Sequence, residues 1–332
     1  MHDSSSSIES IAEAVRKYDG VKRKLAIGSL VRDLKISAEH VIASFGEDAA
    51  VITDGGRDDV LLLAADGIWS RLMAVDPYWS GYCSILVNIH DIAAMGGRPI
   101  ALVDILSMRN CEIGRLVTNG MHDASKQFGV PVVGGHVHPD ADVDSIGVAV
   151  LGTARRDSVI YSSTAQNGDL IIAAYDLQGR VHPSSRLNWD SVTMKDAAVL
   201  QAQIGIMQEL GEKKLVTAGK DVSNPGLLGT LGMLLEVSRM GAVVDVDLIP
   251  CPPLADYGLT LAEWVMMYPG MAFILTARKE CADEVISSFS SVSMDAVVIG
   301  EINTSQTFEI RSGDSSAPIF DFVHDDLTGI GR

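Results

Sequence analysis

The stretch DPYWSGYCSILVNIHDIAAMGGRPIAL, Asp76 to Leu102, decides how the rest of the chain is read. Asp76 and Pro77 are the capping residue and first-turn proline that open many helices, and Gly96-Gly97 closes the periodic segment that follows. The spacing therefore predicts a helix over 76–96. Ser84, Asn88 and Asp91 fall at i, i+4 and i+7, on one stripe of a helix whose other positions are largely apolar or small. A carboxylate carried into a buried helix needs a counter-charge, because an unpaired buried carboxylate costs several kcal/mol. A metal ion or a basic residue supplies it, unless the stripe is simply a solvated face.

Working outward, an apolar strand follows at Ile100 to Leu106, then a helix at Glu112 to Phe128 and strands at Val130 to Val133 and Ser145 to Thr153. Upstream, VLLLAAD (Val60 to Asp66) is the clearest strand, and residues 8–40 carry helical spacing broken at Gly20 and Gly28. Charged and turn residues cluster at Arg155 to Asp157 and again at Gln166 to Asp169, before DLIIAAY opens a second alternating unit. That unit holds helices at Ser191 to Leu210 and Pro225 to Met240 and strands at Ala242 to Val246 and Ala272 to Thr276. The expected organisation is a helical segment over 1–40, a first domain over 41–156, a second over 165–310 and a tail over 311–332. A length of 332 residues suits two cores.

Hydrophobic residues at 47% and charged residues at 21% are ordinary globular values. No apolar run reaches the ~18 residues of a membrane helix and no signal-peptide pattern opens the chain, so a cytoplasmic protein is expected. Cys83, Cys111, Cys251 and Cys281 form no C-x-x-C pair and read as reduced thiols. With 26 basic against 43 acidic residues the net charge is -17, which argues against a nucleic-acid partner. The same charge admits a triphosphate only if metal ions lie between it and the carboxylates.

Four acidic positions stand at element ends: Glu47-Asp48 in FGEDAAVI, Asp66 before Gly67, Asp91, and Asp221 in GKDVSNPGLLG. Singly, each fits a cap or turn. Together they fit a carboxylate cluster for magnesium, a hard cation that takes oxygen ligands. AMGGRP and NPGLLGTLG place glycine amides beside them for phosphate oxygens, without the Walker or dinucleotide pattern. Gly134-Gly135-His136, with His138 beyond, ends another strand; His136 suits substrate binding, proton transfer or a turn.

In this order the segments FGEDAAVI, LLLAADGIW, NIHDIAAMGGRPIAL, VPVVGGHVHPDADVDSIGVAVLGTA and DVSNPGLLGTLGMLLEVSRMGAVVDVD resemble a superfamily over roughly residues 45–300. It is the PurM-like superfamily of aminoimidazole ribonucleotide synthetase, thiamine-monophosphate kinase, selenophosphate synthetase and the hydrogenase-maturation dehydratase. The resemblance implies an α/β (α+β) fold: an N-terminal sheet that forms a barrel across a homodimer, then a C-terminal α/β domain, with ATP near the subunit junction. It also implies ATP and Mg2+ as cofactors. Glu47, Asp48, Asp66, Asp91 and Asp221 become magnesium-ligand candidates, and His136 and Asp221 catalytic candidates. Asn88, Gly96, Gly97, Gly134, Gly135, Ser223, Asn224 and Gly226 become cofactor-binding candidates.

Some residues depart from individual members. Tyr268-Pro269-Gly270-Met271 stands where the thiamine-phosphate kinase carries its acidic substrate motif, and Asn224 replaces an aspartate of that kinase. Both disfavour thiamine phosphate. No cysteine occurs in the first 82 residues and the chain ends Gly329-Ile330-Gly331-Arg332, which disfavours the selenophosphate and hydrogenase-maturation activities. The expected function is an ATP- and magnesium-dependent kinase or synthetase acting on a small-molecule phosphate acceptor. The rivals are a non-catalytic nucleotide-binding or scaffolding member and a metal-dependent phosphate hydrolase.

Overall fold

The structure, a computed structural model, describes residues 7–34, 36–53, 55–56 and 58–330, so Gly331 and Arg332 of the C-terminal reading lie outside it. The helical segment at the start forms α1 (Ile8–Lys17), α2 (Asp19–Lys22) and α3 (Ala26–Leu34). On α1, Ile8, Ile11, Ala12 and Val15 fall on one stripe and are buried, while Ser7 caps the helix by accepting from the Ser10 amide. That stripe packs into the core of the second domain, not the first.

The first sheet comprises β1 (Val41–Ala43), β2 (Ala50–Ile52), β3 (Asp59–Ile68), β4 (Arg98–Ser107), β5 (Val132–His138) and β6 (Ser145–Arg155). Its order is β1-β2-β3-β6-β4-β5, and every neighbouring pair is antiparallel except β4–β5. Side chains alternate between faces, so Val60, Leu62 and Ala64 of β3 are buried beneath helices α4 (Ser70–Val75), α5 (Pro77–Ala94) and α6 (Cys111–Phe128). The opposite face carries Leu61, Leu63, Val103, Ile105 and Leu151, each between 36% and 58% exposed. An apolar face of that kind on a sheet is unusual unless something covers it.

The second sheet has the order β10-β12-β7-β13-β11-β14-β15 and is again antiparallel except at β11–β14. Its strands are β7 (Leu170–Tyr175), β10 (Ala218–Asp221), β11 (Gly241–Asp245), β12 (Ala272–Ala277), β13 (Asp295–Asn303), β14 (Thr307–Ser312) and β15 (Ser315–Asp321). Strands β8 (Arg180–His182) and β9 (Ser185–Asp190) form a separate hairpin. Helices α7 (Ala197–Glu212) and α10 (Ala282–Ser291) cover the face turned toward α5 and α6. Helix α8 (Gly226–Ser238), with α1 and the short α9 (Leu261–Trp264), covers the other face.

Two differences from the sequence reading have local causes. Helix α7 starts at Ala197 rather than Ser191, since the Val192 and Thr193 amides turn back onto the Asp190 carboxylate. Of the region 311–332 set apart as a tail, the described residues to 330 finish β14, supply β15 and then form a strap held by Glu236, which accepts from the Leu327 and Thr328 amides at 2.9 Å. No helix among the described residues is long and apolar enough to cross a membrane.

Helix α5 lies between the two sheets, and 15 of its residues are buried. Its crossing with α6 is so close that a Cβ on Gly81 would lie 2.0 Å from the Val117 carbonyl oxygen, and one on Gly120 would lie 2.0 Å from the Tyr78 carbonyl oxygen. Both obstacles are backbone, which cannot swing aside as a side chain does. Gly81→Ala should therefore push the helices apart and destabilise the protein by about 3 kcal/mol, read as a lower urea midpoint. An unchanged midpoint would show that the crossing tolerates a wider separation.

Candidate functional site

Three carboxylates from separate elements meet at the junction of the domains. Asp48 lies between β1 and β2, Asp91 in the last turns of α5, and Asp221 at the end of β10; one oxygen from each lies within 4.8 Å of the others. Lys220 is paired with one of them. Its ammonium pairs with Asp48 and reaches Ser162 Oγ at 3.4 Å. The second Asp48 oxygen is buried without a hydrogen bond, and the Asp91 carboxylate has no donor among the described residues.

Three negative groups around one ammonium leave two charges uncompensated in a poorly solvated place. Burial raises the Asp91 carboxyl well above the usual range, and Asp221, Asp48 and Asp66 add to the effect. Asp221 is pushed up to about 7, by burial first and then by Asp48. Burial also raises Asp48, against the pull of Lys220. For Lys220 burial alone acts downward, but Asp48 and Asp221 hold the amine above its ordinary value. The donor set is all hard oxygen with unpartnered atoms, and its surplus equals the charge of one divalent cation, so the residues present fit magnesium.

Beside the cluster is a cavity of about 300 Å3 whose wall includes Asp66, Trp69, Ser223, Asn224 and Tyr268. Asp66 opens to this cavity at the end of β3, accepts from the Gly67 amide at 2.6 Å, and has its carboxyl raised by the surrounding protein. Asn224 donates to the Tyr268 hydroxyl at 2.7 Å. Arg23 and Lys24, between α2 and α3, close the cavity from the N-terminal side.

The chain matches the pattern described as AIR synthase related protein, N-terminal domain, over residues 46–154, and that described as AIR synthase related protein, C-terminal domain, over 157–312. The chain belongs to the AIR synthase related family. Uncharacterized protein MJ0640 of Methanocaldococcus jannaschii is 42% identical to it, over 97% of this chain and 99% of that protein. Among solved structures, T. maritima PurL complexed with ATP superposes with a TM-score of 0.74 at 18% identity, covering 98% of this chain and 52% of PurL. AaThiL complexed with AMPPCP and TMP superposes with a TM-score of 0.65 at 17% identity, covering 88% and 95%. These likenesses show the PurM-like two-domain fold; this chain spans about half of that PurL.

The remaining candidates of this AIR synthase related protein are not all gathered at the cluster. Glu47 turns away and accepts from the Ser162 amide and the Ser163 hydroxyl, each at 2.5 Å. On α5, Ser84 bonds the Gly81 carbonyl and Asn88 bonds the Ser84 carbonyl, which leaves the Asn88 Oδ1 buried and unpartnered. Gly96, at φ +70°, and Gly97 cap α5: their amides donate to the Ala93 and Ile92 carbonyls at 2.8 and 3.0 Å. Those amides are thus spent within the cap rather than open to phosphate.

Gly134, Gly135 and His136 lie on exposed β5, separated from β3 by β6 and β4. His136 stacks edge-on with His138, ring centres 4.6 Å apart. Ser223 and Asn224 do line the cavity, whereas the Gly226 amide is bonded to the Ser223 carbonyl at 2.8 Å. Sequence reasoning placed Tyr268 at a substrate-motif position but missed Lys220, Arg23, Lys24 and Trp69. Only Lys220 had a local signal, as the basic residue beside Asp221 in GKD.

The raised carboxyls give a testable pH dependence. Asp91, Asp48, Asp66 and Asp221 bind protons more tightly folded than unfolded. Their contribution to stability is complete below the ordinary carboxylate value near ~4. It is lost as pH rises through the raised folded values, about 7 for Asp221. Metal-free protein should melt at a lower temperature at pH 8 than at pH 5, and magnesium should raise the melting point more at pH 8. Equal magnesium shifts at both values in scanning calorimetry would remove the cluster as the binding site.

Proposed function

We propose that the protein is an ATP- and magnesium-dependent enzyme that transfers phosphate to, or activates, a small-molecule acceptor. The observation that carries this reading is the triad Asp48, Asp91 and Asp221, two charges in excess of Lys220 and set beside a cavity. Asp48, Asp91 and Asp221 would hold magnesium, and Lys220 fixes the orientation of Asp48. When bound, magnesium and ATP supply charge neutralisation and the phosphoryl group. A triphosphate approaching this site without metal would meet repulsion from every carboxylate named here. Structures of PurL with ATP and of ThiL with AMPPCP, on the same fold, support a nucleotide ligand.

Magnesium and ATP together should stabilise the protein more than either alone, by about 2.7 kcal/mol at a hundredfold excess over Kd. In Asp91→Asn the joint effect should vanish while the metal-free variant melts no lower than wild type, because Asp91 has no salt bridge to lose. A strongly destabilised metal-free variant with unchanged nucleotide affinity would refute the assignment. So would an equal ATP shift in excess chelator.

The exposed face of Leu61, Leu63, Val103, Ile105 and Leu151 supports a homodimer in which two first sheets pack together, the barrel of the PurM-like fold. In register with Ile105, His136 stands on that face, so in the dimer it would meet the partner copy rather than its own carboxylates. Ile105→Asp should convert the dimer to monomer in light scattering without unfolding it. A wild-type protein that is monomeric at micromolar concentration would sink the proposal.

A further inference from the structure

The cavity beside the carboxylates has a wall that the acidic cluster does not explain. Arg23 and Lys24 both line it, and neither forms a salt bridge with a described residue. The Arg23 guanidinium lies 5.1 Å from the Trp69 ring centre, and that of Arg71 lies 5.2 Å from the same ring. In a chain of net charge -17, two guanidiniums thus flank one tryptophan and Lys24 lines the same cavity, none of the three in a salt bridge with a described residue. Burial pulls the Lys24 amine below its ordinary value, opposed by the fields of Asp66 and Asp221. An anion beside that amine would stabilise its charged form.

Apart from Asp66, Ser223 and Asn224, the rest of the wall is mainly apolar: Trp69 and Tyr268 present rings, and Ile27, Leu30, Leu72 and Val87 also line it. Arg23 and Lys24 also precede residue 46, where the family match begins. The basic side of the wall therefore lies outside the matched domains, whereas Trp69 and Tyr268 lie within them. Its position is fixed from two sides: the Gly28 amide of α3 donates to the Thr328 carbonyl at 2.8 Å, and Glu236 holds Thr328 in turn.

We propose that this cavity is the acceptor site and that it takes a small organic anion carrying a ring. Arg23 and Lys24 hold the negative group, and the ring lies against Trp69 and Tyr268. This rests on the phosphoryl-transfer reading of the neighbouring cluster. It makes specificity a property of the N-terminal segment, separate from the carboxylates that would bind metal.

The test is calorimetric titration of the full chain with phenyl phosphate, benzoate and neutral benzyl alcohol, and separately with magnesium-ATP. Both anions should bind at least about tenfold more tightly than the alcohol. The double variant Arg23→Gln, Lys24→Gln should weaken both anions by about tenfold or more while magnesium-ATP affinity changes less than about threefold. Trp69→Leu should weaken phenyl phosphate more than inorganic phosphate, which separates ring contact from charge, and melting curves verify that each variant is folded. The proposal is overturned if the alcohol binds as well as the anions, if wild type binds neither anion, or if the double variant binds them normally. Parallel loss of magnesium-ATP in the double variant also overturns it, because the cations then serve the nucleotide. Failure of wild type to bind magnesium-ATP would instead sink the phosphoryl-transfer reading, while the anion titrations still report on the cavity.

Discussion

Helix α5 has no free side, and this constraint organises the molecule. The first sheet, α6, α7 and β10 all pack against it. Its start is tied to the second domain by Trp79, which donates to Asn188 at 2.9 Å and stacks on His182 with ring centres 4.5 Å apart. Its far end brings Asp91 to Asp221, another second-domain residue. A helix enclosed in this way cannot shift without disturbing the core that the first sheet shares with α7 and α10, since protein interiors pack as densely as crystals. The two domains therefore share one rigid element, and the carboxylate cluster sits where that element stops.

Enclosure also accounts for the electrostatics. Ser84 and Asn88, both buried in α5, donate to carbonyls of their own helix. Asp91 has no such local partner and projects from the helix toward two further carboxylates. The fold thus keeps in place a charge arrangement that is unfavourable on its own. Stored repulsion of this type is characteristic of sites completed by a ligand rather than of structural ion pairs. Lys220 reduces the cost and orients Asp48, yet leaves two carboxylates of the three without a paired cation.

The two ends of the chain contribute to the same region. The first helices lie on the second domain, and the strap after β15 reaches back to Gly28. Glu236, buried in α8, accepts from three successive amides of that strap, at 2.9 Å from Leu327 and Thr328 and 3.2 Å from Gly329. Through this contact a residue in the second domain's central helix fixes the segment that carries Arg23 and Lys24. The cavity wall is therefore held by elements distant in sequence, consistent with a site that needs a defined shape.

Beyond offering Asp48, Asp91 and Asp221 among its acidic candidates, the sequence by itself determined the long helix and its cap and the alternation of β3. Each of these is written in local spacing: Asp76-Pro77 and Gly96 bound a helix, and VLLLAAD alternates with the period of a strand. Tertiary structure alone decided which polar groups have somewhere to go. It turned Glu47 onto Ser162 and Ser163 and used the Gly96 and Gly97 amides to end α5. It also placed His136 on the opposite edge of the sheet, folded residues 315–321 into β15, and brought Arg23 and Lys24 to the cavity. The reason is physical. Helix and strand periodicities report which face a residue occupies, whereas charge pairing and cavity walls depend on segments tens to hundreds of residues apart, whose meeting is fixed only when the cores pack.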